Sequence, residues 1–146
     1  MPRKFKLEYT DAQGQKQTPV MIHRAIAGSL ERFMSVMLEH FNGWLPMMLA
    51  PTQIAIIPIN LEAHSKYAQS VYEELQSAGA RVELWNDDHD GFGKKVRKAK
   101  NQKLPYWIII GDEEVNGNTL TIETRDGGNK GISVDEFIAS IQEDLK

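Results

Sequence analysis

Two short apolar runs constrain this chain more than any other feature: Ile54-Ala55-Ile56-Ile57-Pro58-Ile59 and Tyr106-Trp107-Ile108-Ile109-Ile110-Gly111. A strand with one covered face alternates apolar and polar residues. A nearly unbroken run of strand length calls for cover on both faces, as in a parallel sheet wrapped by helices. The segments around the two runs fit that demand. Residues 64–78 are predicted to be helical, with Ala68, Val71, Tyr72, Leu75 and Ala78 on one side and Gly79 closing the helix. Arg81–Trp85 reads as a strand, Asn86–Gly91 as an acidic loop, and Gly93–Gln102 as a short helix. Thr119–Glu123 alternates like a half-buried strand. Ser133–Leu145 reads as a final helix opened by the capping box Ser133…Glu136. Strand, helix, strand, helix, strand predicts an α/β fold with a mixed, mainly parallel sheet flanked by helices.

The first third has a different rhythm. Lys4–Tyr9 alternates polar and apolar residues and predicts a strand. Asp11-Ala12-Gln13-Gly14 signals a turn. Thr18–His23 is expected to return as the second strand of a hairpin. Ser29 suits the N-cap of a helix whose apolar face is Leu30, Phe33, Met34, Met37, Leu38 and Phe41, with Gly43 at its C-terminal cap. The connector Trp44–Pro51, bracketed by Pro46 and Pro51, predicts a division into domains 1–48 and 49–146.

No apolar run approaches the roughly 18–20 residues of a membrane helix, and the opening Met1-Pro2-Arg3-Lys4 leads into no apolar signal core. A cytoplasmic protein with no membrane partner is the expectation. The absence of cysteine excludes disulfides and thiolate metal sites. The net charge is -3, so nucleic-acid binding would need a local basic patch. One exists. Six of the 11 residues Gly93–Lys103 are Lys or Arg. With Val96 and Ala99 facing the sheet, Lys94, Arg97 and Lys98 project from neighbouring turns, a stripe able to neutralise several phosphates. A solvated helix face is the alternative for such a run. Arg32 sits in the first turn of its helix, where the macrodipole disfavours a cation and where a planar guanidinium suits phosphate or base contact. A salt bridge to a nearby acid is the competing explanation. His23 ends its strand, and His40, His64 and His89 are scattered, so no zinc set of three or four ligands follows from spacing. Asp112-Glu113-Glu114 reads as an acidic turn after a strand. There is no glycine-rich phosphate loop and no nucleophile elbow.

Read together, these residues carry a resemblance. Val20-Met21-Ile22-His23-Arg24-Ala25-Ile26-Ala27-Gly28-Ser29-Leu30-Glu31-Arg32-Phe33 resembles the third signature motif of class II aminoacyl-tRNA synthetases in its threonyl form. Trp44-Leu45-Pro46, Leu49-Ala50-Pro51 and Gln53 resemble the link to an anticodon-binding domain. Gly93, Lys95, Arg97, Pro105, Gly111-Asp112, Glu114 and Thr124-Arg125 resemble that domain. The resemblance implies a class II anticodon-binding fold for 49–146, preceded by a β-hairpin and helix from the end of a catalytic domain. It implies that Arg32 contacts ATP, that Ser29 lies beside the adenylate site, and that His23 is one of three protein ligands of a zinc ion. It further implies tRNA binding through Lys94, Lys95, Arg97, Lys98, Glu114 and Arg125, with Glu114 and Arg125 near the anticodon bases. Capping of its own turn is the alternative role for Glu114. Two departures stand out. The loop Asn86–Gly91 lacks an Arg-Asn pair common in bacterial members, and Glu123 replaces a common arginine.

The expectation is therefore a tRNA-binding part of a homodimeric threonyl-tRNA synthetase. That parent enzyme would use ATP, magnesium and zinc to join threonine to its tRNA. The isolated chain is expected to need no cofactor and to be inactive alone. The departures favour the rival, a free-standing adaptor or regulatory protein that kept the fold.

Overall fold

The computed structural model of the chain describes residues 1–25 and 28–145; the side chains of Asn129 and Lys130 fall outside the description. Ile26 and Ala27, part of the Val20–Phe33 run, lie outside the described residues. Two compact units emerge, residues 1–36 and 37–146.

The smaller unit is built on a turn. Asp11 Oδ1 accepts hydrogen bonds from the N–H groups of Gln13 and Gln15 (3.0 and 2.8 Å), and Oδ2 accepts from Gln17 Nε2 (3.0 Å). These bonds, led by that from Gln15, hold the carboxyl below its ordinary range. They close a hairpin of two very short strands, β1 (Tyr9–Thr10) and β2 (Lys16–Gln17), in antiparallel register. Pairing is shorter than the alternation predicts. Residues 2–6 form turns, with Lys4 N–H on Met1 C=O (3.0 Å) and Leu7 N–H on Pro2 C=O (3.0 Å). Thr18–His23 belongs to no helix or strand among the described residues. The alternating residues Phe5, Leu7 and Tyr9 stay exposed. Alternation specifies a face, and a two-stranded ribbon with nothing beneath that face is marginal.

Helix α1 (Leu30–His40) runs across the division between the units. Ser29 caps it as the sequence suggests, its Oγ accepting from Arg32 N–H (3.1 Å). Gly43, at φ 76°, lets its N–H close back onto Leu38 C=O (3.0 Å), a helix end that side-chain-bearing residues resist. No residue of α1 is buried.

The larger unit realises the predicted α/β sheet. A 3-10 turn (Met47–Leu49) leads into β3 (Ile54–Pro58), all five residues of which are buried. There follow α2 (Leu61–Ser77), β4 (Val82–Leu84), α3 (Phe92–Asn101), β5 (Tyr106–Ile110), α4 (Asp112–Gly117), β6 (Leu120–Glu123), β7 (Gly128–Ile132) and α5 (Val134–Ile141). The strand order is β4-β3-β5-β6-β7, with β4, β3 and β5 parallel and the rest antiparallel. The alternate residues of the apolar runs feed two cores. Ile54, Ile56, Ile108, Ile110, Leu120 and Ile122 pack with Ala68, Val71 and Leu75 of α2 and Val134, Phe137 and Ile141 of α5. Ala55, Ile57 and Trp107 pack with Trp85, Ala99 and Leu104 on the face that α3 covers.

Two elements escape the sequence reading. The acidic turn is in fact α4, nucleated by three acids in its first turn, where the helix dipole favours them. Strand β7 has almost no apolar residues and so carries no periodic signal. It pairs through a bulge: Leu120 faces Ile132 and Thr121 faces Lys130, leaving Gly131 as the extra residue at φ 74°, a conformation glycine adopts without strain.

The Trp44–Pro51 connector, a boundary by composition, is bolted to the sheet. Gln53 is fully buried. Its Nε2 donates to Met47 C=O (3.0 Å), and its Oε1 accepts from Arg81 N–H (2.7 Å). The Arg81 guanidinium donates to the carbonyls of Met48 (2.7 Å) and Ala50 (2.9 and 3.0 Å).

Gln53→Met keeps the volume but leaves the Arg81 N–H without its acceptor and takes one of several donors from Met47 C=O, so it should destabilise the chain by about 1–3 kcal/mol; urea unfolding measures this, and a change within about 0.5 kcal/mol would contradict the pinning role. In hydrogen exchange, the amides of β1 and β2 should open well before those of β3 and β5.

Candidate nucleic-acid interface

Strand β4 ends at Leu84, the loop 86–91 turns the chain, and α3 returns it to the start of β5. Helix α3 therefore runs antiparallel to the parallel strands and along their length. Ala99, on its inner side, is buried, and Val96 packs against the same core. This seating decides which cations face outward. Lys95 does not: it is buried, and its Nζ donates to the carbonyls of Trp85 (2.7 Å) and Asp87 (2.5 Å). The expectation that Lys95 contacts tRNA is corrected on this point. One turn's rotation from Ala99 carries it inward, where it clamps the acidic loop.

Lys94, Arg97 and Lys98 are exposed. Together with Asp90, Asn101 and Gln102 they line a shallow depression along the helix. Lys94 pairs with Asp90 one turn earlier, and this hydrogen bond raises the lysine's pKa and lowers the aspartate's. Arg97 has no ion-pair partner among the described residues. Lys98 Nζ lies 4.5 Å from the centroid of the Trp85 ring, and Lys100 Nζ lies 5.8 Å from that of Trp107. Each indole N–H is held by a carboxylate: Trp85 Nε1 donates to Glu83 (2.8 Å) and Trp107 Nε1 to Glu123 (3.0 Å). Glu83 also accepts from Thr52 Oγ1 (2.6 Å). That bond, then the indole bond and the Lys98 charge, hold its carboxyl below the ordinary range. The sequence reading singled out neither tryptophan. The available signal was spacing: Glu83 and Trp85 are two apart on one strand and so share a face, while Glu123 faces Trp107 across the β5–β6 pair.

The other candidates lie at opposite ends of β5. Beyond its C-terminal end, Glu114 Oε2 accepts from Gly111 N–H (2.9 Å) and Oε1 from Thr121 Oγ1 (2.5 Å). The capping role considered from sequence is thus present. Beside it, buried His64 accepts from Asn60 N–H at Nδ1 (3.2 Å), which leaves the Nε2 proton for Asp112 (2.9 Å). Arg125 lies past the end of β6, in the turn to β7. Its guanidinium stacks 5.5 Å from the Trp44 ring centroid and 3.8 Å from Asp126. Because β6 is antiparallel to β5, this places Arg125 near Pro105, at the start of β5. Five strand residues, roughly 17 Å, separate that end from Glu114.

In the smaller unit, Arg32 and Ser29 are exposed at the start of α1, and His23 is exposed outside any regular element. No group of three or more His, Asp or Glu that could hold a metal exists among the described residues. One histidine does not make a zinc site, so the described residues do not fit the zinc that the resemblance implies. No helix among them is long and apolar enough to cross a membrane.

The family model for the anticodon binding domain matches residues 53–144. The chain is 44% identical, over 99% of its length, to the threonine–tRNA ligase of Caldanaerobacter subterraneus subsp. tengcongensis, of which it covers 22%. It is 46% identical, over 97% of its length, to that of Streptomyces avermitilis, of which it covers 21%. It thus spans about a fifth of the length of these curated relatives. Among solved structures, the RNA-binding domain of threonyl-tRNA synthetase from Cryptosporidium parvum superposes with a TM-score of 0.77 at 33% identity, covering 97% of this chain and 36% of that one. Prolyl-tRNA synthetase from the same organism shares the fold, with a TM-score of 0.69 at 21% identity, over 99% of this chain and 31% of that one.

Lys95→Met should cost about 1.5–3 kcal/mol by stripping the loop carbonyls of a charged donor, and should speed amide exchange in residues 86–91. A surface lysine at this position would cost within about 0.5 kcal/mol, and that result in thermal unfolding would refute the clamp.

Proposed function

The chain belongs to the family of anticodon-binding domains, and from that premise we propose that it binds tRNA through the outward face of α3, as part of a threonine–tRNA ligase. The observation that carries this reading is the lengthwise row of Lys94, Arg97 and Lys98 beside a shallow depression, in a chain whose net charge of -3 gives no general attraction to RNA. Phosphate neutralisation by such a row supplies affinity, and its hallmark is salt dependence. Arg97 is the central contact, because Lys94 already shares its charge with Asp90. Arg125, on its Trp44 platform at the far end of β5, adds a second point of contact.

In this reading the full-length ligase joins threonine to its tRNA with ATP, magnesium and zinc, and this chain contributes RNA binding alone. His23, Ser29 and Arg32 serve only in company with residues outside the chain. The threonine tRNA is the substrate because the relatives similar over almost the whole chain are threonine–tRNA ligases. The rival adaptor reading keeps the fold and drops the RNA.

Filter binding of a threonine tRNA transcript across a salt series tests this. Arg97→Ala should weaken binding and lower the slope of log K against log salt by about 0.7–0.9, the share of one phosphate. Unchanged affinity and slope would remove Arg97 from the interface. No tRNA binding by the unmodified chain would favour the adaptor.

A further inference from the structure

Helix α3 has two shoulders. Ala99 points into the core, and its sequence neighbours Lys98 and Lys100 lean to opposite sides, each over a tryptophan. The Lys98 ammonium lies within cation–π range of Trp85. Trp85 is itself buried and cannot drift. Its N–H is fixed on Glu83, and Glu83 is fixed in turn by Thr52. The same sequence of parts recurs on the other shoulder with Glu123, Trp107 and Lys100, at longer range. Donating its N–H to an anion makes an indole a better partner for a cation, since hydrogen-bonded groups polarise one another. A lysine side chain is otherwise rich in rotamers, and fixing it on binding normally costs affinity.

We propose that Glu83, acting through Trp85, is a positioning residue for tRNA binding: it holds Lys98 ready for a phosphate, and Glu123 with Trp107 does the same for Lys100. The proposal rests on the RNA-binding reading of α3. It also gives Glu123, which departs from the family's common arginine, a part in the interface without touching RNA.

Electrostatics alone predicts the opposite sign. Removing a carboxylate beside a basic helix should tighten RNA binding. Positioning predicts that Glu83→Gln weakens it, about 2- to 10-fold, the range set by freeing one long side chain. Trp85→Phe keeps a ring, loses the N–H, and should weaken binding in the same direction. The experiment is a double-mutant cycle on the full chain with a threonine tRNA transcript, fold being checked by circular dichroism. Lys98→Ala should weaken binding and lower the salt slope by about 0.7–0.9. In the Lys98→Ala background, Glu83→Gln should have no further weakening effect. Should Lys98→Ala leave binding unchanged, the RNA reading of this shoulder fails and the proposal with it. Should Lys98→Ala weaken binding while Glu83→Gln tightens it, leaves it unchanged, or weakens it equally in both backgrounds, the positioning role alone is overturned. A Glu83→Gln chain that does not fold passes the decision to Trp85→Phe, read in the same two backgrounds.

Discussion

Burial of β3 and β5 on both faces is the constraint on which the rest of the larger unit depends. Adjacent residues of these strands go to different cores, so Ile54 and Ile56 need α2 and α5, while Ala55 and Ile57 need α3. A helix must therefore return along the sheet on each side, and each return carries loops to fixed places at the strand ends. Helix α3 meets that need with only two apolar residues, Val96 and Ala99. Its other large apolar residue, Phe92, is exposed, and most of the remaining surface is charged. The basic row is thus what remains of a helix that turns Val96, Ala99 and the buried Lys95 toward the sheet.

Where apolar packing thins out, single polar side chains do the fastening. Arg81 and Gln53 gather the carbonyls of the connector, and Lys95 gathers those of the loop after β4. Each satisfies backbone acceptors that a loop against the sheet would otherwise leave unpaired. This division of labour separates the cations. Arg81 and Lys95 are architectural; Arg97 and Lys98 face solvent.

The sheet was legible because its residues obey a period. The unbroken runs, the faces of α2 and α3, and the Ser133…Glu136 box are all local patterns that the tertiary structure reinforces. What escaped had no period or depended on long-range partners. Strand β7 is mostly glycine and polar residues around a bulge. Lys95 looks like its neighbours in a basic run, and only the position of Ala99 shows that it turns inward. Arg125 follows an alternating strand, but the chain has already begun to turn at Thr124, whose Oγ1 donates to Gly127 C=O. The hairpin was over-read because alternation at Lys4–Tyr9 is a real pattern without a surface to meet it among the described contacts of its own unit. Of the candidate site, the helix was legible and the aromatic seats beneath it were not, since the Trp107–Glu123 pairing depends on strand register and the lysine–tryptophan contacts on how the helix lies over the sheet.

The antiparallel lie of α3 on the sheet has one more consequence. Its outward cations form a line along the strands, with similar charges at successive turns. A polyanion advanced by one step along such a line exchanges one lysine for the next and finds much the same grip. The line can hold a strand firmly while leaving its frame undecided. On the proposed RNA-binding reading, framing falls to groups that occur once, such as the Gly111–Glu114 cap beyond one end of β5 and the Arg125–Trp44 stack at the other. On the proposed reading, affinity and frame rest on different groups, and they can change independently.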